Sequence, residues 1–429
     1  MLVRVAKKAL LMQGFFLAKG TGMNESVHNP DQYMFGFRQV ITNGKKKIGI
    51  LLGAGAPVSI NVGREAWEPL IPNVVGLTRA IKKDLSPENL RVFNEIESSI
   101  EDKNFEKVLS KIRALADVIG TSTVYGFDSN DFTQLTESIC NAIKNVVDRE
   151  LPSSPTPYCE LVSWINGINR KHGVEVFTTN YDLLLEQALE RVKTPYFDGF
   201  SGSRNAFFDP SSISRNDLPP RWVRLWKLHG SIGWEISPSN EVIRIPHSQH
   251  TSMVYPSHIK YDQTQAAPFS SLFERFKNFL LEPDTLLIST GFSYADAHIT
   301  SKIIESLIAN PSAALFAFQY NNLSAEPFAR AIAMKCPNVS VFCRDGAIIN
   351  GVEAKWRTGI LPAKNWQSIR EEYFKNEEFL LGDFKVLTRF LATAGGEFGI
   401  RFDEILLETS SPPSISSPLQ ENEDDGHHA

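Results

Sequence analysis

Cysteine is scarce: the 429 residues hold four, Cys140, Cys159, Cys336 and Cys343, with no C-x-x-C pair. That excludes a disulfide framework and a zinc ribbon, and it reads as mostly buried, reduced thiols. An excess of positive charge is missing too. Forty-four lysines and arginines against 49 aspartates and glutamates leave a formal net charge of −5, so no global positive field exists to hold a nucleic-acid backbone, and direct nucleic-acid binding is not expected. No apolar run approaches the ~20 residues of a membrane span. The best candidate, 9–18, is broken by Gln13 and Gly14. With Arg4, Lys7 and Lys8 before it, this start superficially resembles a signal peptide, but no small-residue cleavage site follows. We expect a helical extension over 1–44, a cytoplasmic protein and no membrane partner. The P-loop pattern G-x-x-x-x-G-K-[ST] is also absent, so a P-loop nucleoside triphosphatase is not supported.

What is present is a globular composition, 42% hydrophobic and 22% charged, in a chain long enough for one large α/β domain with insertions. The apolar run 48–52 meets Gly53-Ala54-Gly55, as a buried parallel strand entering a tight turn does. Residues 76–150 carry helical periods, such as Phe105, Val108, Leu109, Ile112 and Leu115, and read as a helical insertion. A helical stripe over 161–168 precedes a strand at 174–178, and further strands are expected at 222–228, 284–289, 313–318 and 339–342. Strands separated by helices imply parallel crossovers. The expected fold is therefore α/β, a Rossmann-like parallel sheet with helices on both faces, a helical insertion and a C-terminal extension. The expected units are a catalytic domain over 45–350, a mixed region over 351–408 with closing helices at 379–381 and 384–387, and a tail over 409–429. That tail is too polar to offset its ordering entropy.

Four strands end in unusual clusters, and in a parallel sheet all such ends lie along one edge, where ligands bind. The clusters are Gly53-Ala54-Gly55-Ala56-Pro57, Thr178-Thr179-Asn180-Tyr181-Asp182, Lys227-Leu228-His229-Gly230-Ser231, and the run from Gly291 through Phe292, Ser293, Tyr294, Ala295 and Asp296 to His298. The glycines suit close approach of a pyrophosphate, or simply a tight turn, and Val58 stands where the dinucleotide fingerprint has glycine. Asn180 offers a donor and an acceptor in fixed orientation. Asp182 reads both as a helix N-cap and as a ligand contact, and His229 as a structural histidine or one facing a ligand. Asp296 and His298 read first as helix-capping residues.

Taken in this order, the clusters resemble the NAD-binding core of the sirtuin (silent information regulator) family over roughly 48–344, with the insertion falling where that family carries its smaller module. The resemblance implies NAD as the substrate. Gly53, Ala54 and Gly55 would line the pyrophosphate, with Thr179 and Asp182 also in the NAD-binding set and Asp182 on the nicotinamide amide. Asn180 would be catalytic beside the nicotinamide ribose, His229 would be the general base, and Gly291 and Ser293 would meet phosphate or the adenosine ribose. Ala56-Pro57 replaces the family's usual hydroxyl-bearing residue after the glycine turn. Protein-deacylating members hold a zinc on four cysteines after the His-Gly segment, whereas 230–290 contains no cysteine, so neither zinc nor another metal is expected. In that place Ile243-Arg244-Ile245-Pro246 and Val254-Tyr255-Pro256-Ser257 resemble zinc-free bacterial relatives that degrade NAD during phage infection, often beside a HerA-type ATPase or an Argonaute-like protein. The implied activity is an NAD+ glycohydrolase of antiphage defence. It is expected to form a homo-oligomer and to work with a HerA-type ATPase or another defence partner. Two alternatives stay open: an NAD-dependent protein deacylase, and a catalytically silent NAD or ADP-ribose binding module in a larger complex.

Overall fold

A strand without a polar face needs helices on both sides, and Lys47–Leu52, buried at every position after the first, is such a strand. The protein is described here from a computed structural model covering residues 26–100, 104–167, 170–204, 206–215, 217–239, 241–245 and 267–394. In chain order the main-sheet strands are β1 (Val27–His28), β2 (Lys47–Leu52), β3 (Glu175–Thr178), β4 (Tyr196–Phe197), β5 (Val223–Lys227), β6 (Thr285–Thr290), β7 (Ala314–Phe318), β8 (Val339–Phe342), β9 (Gly346–Ile349) and β10 (Val352–Trp356). Across the sheet they run β1-β10-β9-β8-β7-β6-β2-β3-β5-β4. Every pair from β8 to β4 is parallel. Only β9 runs against both its neighbours.

The helices are α1 (Pro30–Thr42), α2 (Val74–Asp84), α3 (Pro87–Ser98), α4 (Phe105–Val118), α5 (Ser129–Val147), α6 (Pro157–Gly167), α7 (Leu184–Arg191), α8 (Phe269–Leu281), α9 (Ala297–Ala309), α10 (Pro327–Lys335), α11 (Trp366–Tyr373) and α12 (Phe384–Ala394). Strand side chains alternate between two cores, as a period of two requires. Ile48, Ile50, Val176, Leu286 and Ile288 join the core under α1, α6, α7, α12 and the insertion. Leu51, Phe177, Leu287 and Leu315 join the one under α8, α9 and α10. The expected α/β architecture with helices on both faces is the one observed.

The insertion holds α2 to α5. Each begins on a polar cap, Asn73, Ser86, Asn104 or Asp128, whose side chain accepts a backbone N–H of the first turn. The first and last described helices share the same core. Asp31, fully buried at the start of α1, accepts from Arg370 Nε at 2.8 Å, Arg370 Nη2 at 2.6 Å and the Tyr373 hydroxyl at 2.6 Å.

One reading of the chain needs correction. Phe379 is not helical. It closes a hairpin of Phe374–Lys375 and Glu378–Phe379, turned by Asn376 and Glu377 at φ 53° and 62°, a conformation no helix continues through. The stretch around 243 builds part of a four-stranded antiparallel sheet made of Phe200–Ser201, Ala206–Phe208, Val242–Arg244 and Trp234–Ile236, in which Arg244 Nη1 pairs with Asp198 Oδ2 at 2.7 Å. Residues 254–257, the first 25 residues and the tail over 409–429 lie outside the described residues. Among the described residues no helix is long and apolar enough to cross a membrane.

Candidate functional site

Because β6, β2, β3 and β5 are neighbours in that order and run parallel, the four clusters that follow them meet on one edge. The first contact is between glycine turns. Gly53 N–H donates to Thr290 O at 3.1 Å and Gly55 N–H to Gly291 O at 2.9 Å. A Cβ on Gly55 would lie 2.7 Å from Gly291 Cα, and one on Gly291, at φ +65°, would lie 2.5 Å from Ala56 N. These glycines therefore let two strand-end loops cross. The crossing consumes the Gly53 and Gly55 amides, so any contact of this turn with phosphate rests on its shape and not on those two N–H groups. Ala54 and Gly55 remain half-buried.

The next loop is stitched to the first. Thr178 Oγ1 donates to Leu52 O at 3.0 Å and accepts the Asn180 N–H at 3.0 Å, and Asn180 Nδ2 donates to Gly53 O at 3.2 Å. Asn180 is only 9% exposed, and its Oδ1 is buried without a hydrogen-bond partner. An orphaned buried carbonyl costs about 1–3 kcal/mol, so it asks for an explanation, and a hydroxyl or water brought by a ligand supplies one. Tyr158 lies close enough to Asn180 to be influenced by it, yet its hydroxyl is also without a partner in hydrogen-bond geometry. Burial, reinforced by the charges of Asp182 and Glu186, pushes that hydroxyl's pKa well up. Thr179 is half-buried, its N–H bonded to Leu52 O at 3.3 Å.

Asp182 is buried, and its Oδ1 accepts the Leu184 N–H at 3.1 Å, which ties the carboxylate to the start of α7. Lys227 Nζ donates to the Asp182 backbone oxygen and to Glu186 Oε1, the latter at 3.0 Å. Burial raises the pKa of both carboxyl groups, and the Lys227 charge opposes it.

His229 follows β5, and the chain turns immediately at Gly230, whose φ of +90° suits glycine. The imidazole is nearly buried, its side chain 11% exposed. Its Nε2 lies 2.8 Å from Asp296 Oδ2, and its Nδ1 lies 3.9 Å from Glu106 Oε1. The Tyr181 hydroxyl donates to that same Glu106 oxygen at 2.7 Å. Asp296 also caps α9, its Oδ1 accepting from His298 N at 2.8 Å and Ile299 N at 3.3 Å. Burial of His229 disfavours its charge, but the Asp296 hydrogen bond and the charges of Glu106 and Asp296 outweigh it, so its pKa lies above the ordinary 6.5. Burial of Asp296 acts upward, yet the His229 hydrogen bond and charge and the two helix amides hold it at about 2.

All the sequence-predicted site residues thus fall on one edge. Thr178 and Leu228, Tyr181 and Ile232, Gly53 and Asn180, and Gly55 and Gly291 are joined by hydrogen bonds across the clusters. Ser293 is exposed there, and Gly291 is half-buried. Sequence reasoning missed Glu106 and Tyr181, and it saw only the capping role of Asp296. No spacing signal links Glu106, in the first turn of α4, to His229. Among the described residues no group of three or more His, Cys, Asp or Glu side chains is poised to hold a metal.

Residues 174–339 match the family model of the SIR2-like domain. The chain thus carries a SIR2-like domain, built on a Rossmann-like sheet. Among solved structures, one from work on the structural basis for the mechanism and regulation of Sir2 enzymes is similar at 14% identity and a TM-score of 0.34, over 70% of this chain and 90% of that one. Cytosolic 5′-nucleotidase IIIB bound to cytidine is similar at 12% identity and a TM-score of 0.27, over 71% of this chain and 84% of that one. No curated protein matches the sequence.

Proposed function

We propose that this chain hydrolyses the bond between nicotinamide and ribose in NAD+, giving nicotinamide and ADP-ribose. One observation carries the reading: Asn180 spends its Nδ2 on Gly53 and keeps a buried Oδ1 without a protein partner, on the same sheet edge as His229. An amide oxygen held in this way accepts a hydrogen bond from water or a ribose hydroxyl and fixes its direction. The match to the SIR2-like domain supports the same ligand class.

The chemistry asks little more of the protein. Nicotinamide in NAD+ is cationic, so the C–N bond breaks with its electron pair going to the ring, and no acid is needed to protonate the leaving group. The ribosyl carbon passes through an oxocarbenium-like state, water adds to it, and the water's proton goes to neutral His229. Gly53, Ala54 and Gly55 line the pyrophosphate by shape, Thr179 and Asp182 face the nicotinamide side, and Gly291 and Ser293 lie toward the adenosine half. The catalytic unit is 45–350. By its resemblance to zinc-free bacterial relatives, the protein acts in antiphage defence as a homo-oligomer with a HerA-type ATPase or another defence partner.

The test is product analysis by liquid chromatography of the full chain with NAD+, with and without an acetylated peptide. Equal amounts of nicotinamide and free ADP-ribose are expected without peptide. Release that strictly requires the peptide, or no release at all, overturns the reading.

A further inference from the structure

We propose that Asp296 is the positioning residue of His229: by accepting from Nε2 it fixes the neutral imidazole as the Nε2–H tautomer and presents the Nδ1 lone pair as the base. The inference rests on the NAD-cleaving reading above and assigns the proton-accepting atom within it.

Asp296 has two oxygens with two tasks. Oδ1 takes the first amides of α9, which fixes the carboxylate against the helix, and Oδ2 is left to meet Nε2 at 2.8 Å. An ionised carboxylate only accepts, so the nitrogen facing it must carry the hydrogen. The loop that delivers Asp296 contains Tyr294 at φ +61°, with its ring buried. A left-handed non-glycine residue persists only where its surroundings over-determine it. The placement of Asp296 is therefore enforced by the loop as well as by the cap.

Nδ1 faces Glu106 Oε1 at 3.9 Å, too far for a direct hydrogen bond but compatible with an oxygen about 2.8 Å from each. The groups facing His229 are thus Asp296 at the start of α9, Glu106 on α4, and Tyr181, whose ring centroid is 6.5 Å away. Lys227, two residues earlier, is engaged by Asp182 and Glu186. A water or hydroxyl bound at Nδ1 gives up its proton there as its oxygen bonds to the ribosyl carbon and the C–N electron pair leaves with nicotinamide. The imidazolium so formed keeps its Nε2–H on Asp296. The same pairing holds His229 protonated to higher pH, which sets where activity begins on the acid side.

The experiment compares parent, Asp296→Asn and Asp296→Ser proteins. Asn and Ser both cap helices well, so α9 is retained in each. Long-range 15N–1H NMR, with the His229 signal assigned from a His229→Gln protein, reads the tautomer without turnover. The parent is expected as Nε2–H above its pKa. Asp296→Asn should shift toward Nδ1–H, and its acid limb should move to lower pH. A wrong tautomer in a histidine dyad has cost up to ~10⁴-fold in kcat. Here kcat for NAD+ cleavage should drop at least tenfold with KM changed less than threefold. An Nδ1–H parent, or an Asp296→Asn protein with unchanged tautomer and pH profile, overturns the proposal. A parent with the Nε2–H tautomer that never releases nicotinamide overturns the NAD-cleaving reading, and with it the role of Nδ1 as a base, while leaving the orientation by Asp296 in place.

Discussion

Asn180 donates its side-chain N–H to the carbonyl oxygen of Gly53, 3.2 Å away and 127 residues earlier. That bond makes the amide we assign to catalysis a structural tie between the ends of β2 and β3. Asn180→Ala should lose the tie, at about 0.5–1.5 kcal/mol, and slow nicotinamide release by ~10²-fold or more through loss of positioning. Asn180→Asp, which sets a carboxylate against the Gly53 carbonyl, should be the less stable of the two. Urea unfolding and a nicotinamide assay read both effects, and parent-like turnover in both variants would contradict the assignment.

The crossing of the two glycine turns sets a second expectation. Gly291→Ala meets both a positive φ and a clash with Ala56 N, whereas Gly351→Ala, at φ +74°, enters open space. The second should cost only about 1–2 kcal/mol of backbone preference. The first should cost clearly more, because backbone must move. Thermal unfolding of the pair ranks them, and equal losses would mean that the crossing is not tight.

Beneath the site, Glu175 is buried with Arg275, which donates from Nε at 2.8 Å and from Nη2, while Trp226 Nε1 donates to the same carboxylate at 2.8 Å. Removing one partner of such a pair strands the other charge, typically at about 3–5 kcal/mol. Arg275→Met should show a loss of that size in chemical denaturation. Adding Glu175→Met should recover a large part of it, and a double variant as unstable as the sum of the singles would refute the explanation.

The His229–Asp296 pair also makes stability depend on pH. The raised pKa of His229 means that its contribution is complete below about 6.5 and is lost as pH climbs through the higher folded value. The lowered pKa of Asp296 means that its share is present above the ordinary 3.8 and is lost as pH falls toward about 2. The stability difference between parent and Asp296→Asn should be widest between about pH 4 and 6.5 and narrow on both sides. Thermal unfolding across pH 3–9 checks this, and a flat difference would rule it out.

The central strands were legible because burial on both faces writes a continuous apolar run: 48–52 and 339–342 fall where the periodicity puts them. The antiparallel edge was not read, although a signal existed. Asn350-Gly351, with φ of 53° and 74°, joins β9 to β10 as a two-residue hairpin, and Asn-Gly is the strongest short hairpin cue. Val352–Trp356 was hidden by its exposed polar positions.

Within the site, Asn180 and His229 were readable because strand ends in a parallel sheet share an edge whatever their separation in sequence. Glu106 was not, since its place depends on how the insertion packs and not on any local pattern. Asp296 was half-read: its capping signal is genuine, and one carboxylate oxygen satisfies it. The second oxygen's partner could be found only in three dimensions.

The order β6-β2-β3 has a practical corollary. The span that matches the SIR2-like domain begins at 174, yet the ladder inside it is interrupted by Lys47–Leu52, a strand drawn from far upstream. A polypeptide trimmed to the recognisable stretch would leave Ile288 and Val176 facing an empty lane and would take away the carbonyl on which Asn180 leans. Competence to assemble the candidate site therefore belongs to a longer stretch than the one that similarity detects, and excised fragments should be soluble and ordered only when β2 is supplied with them.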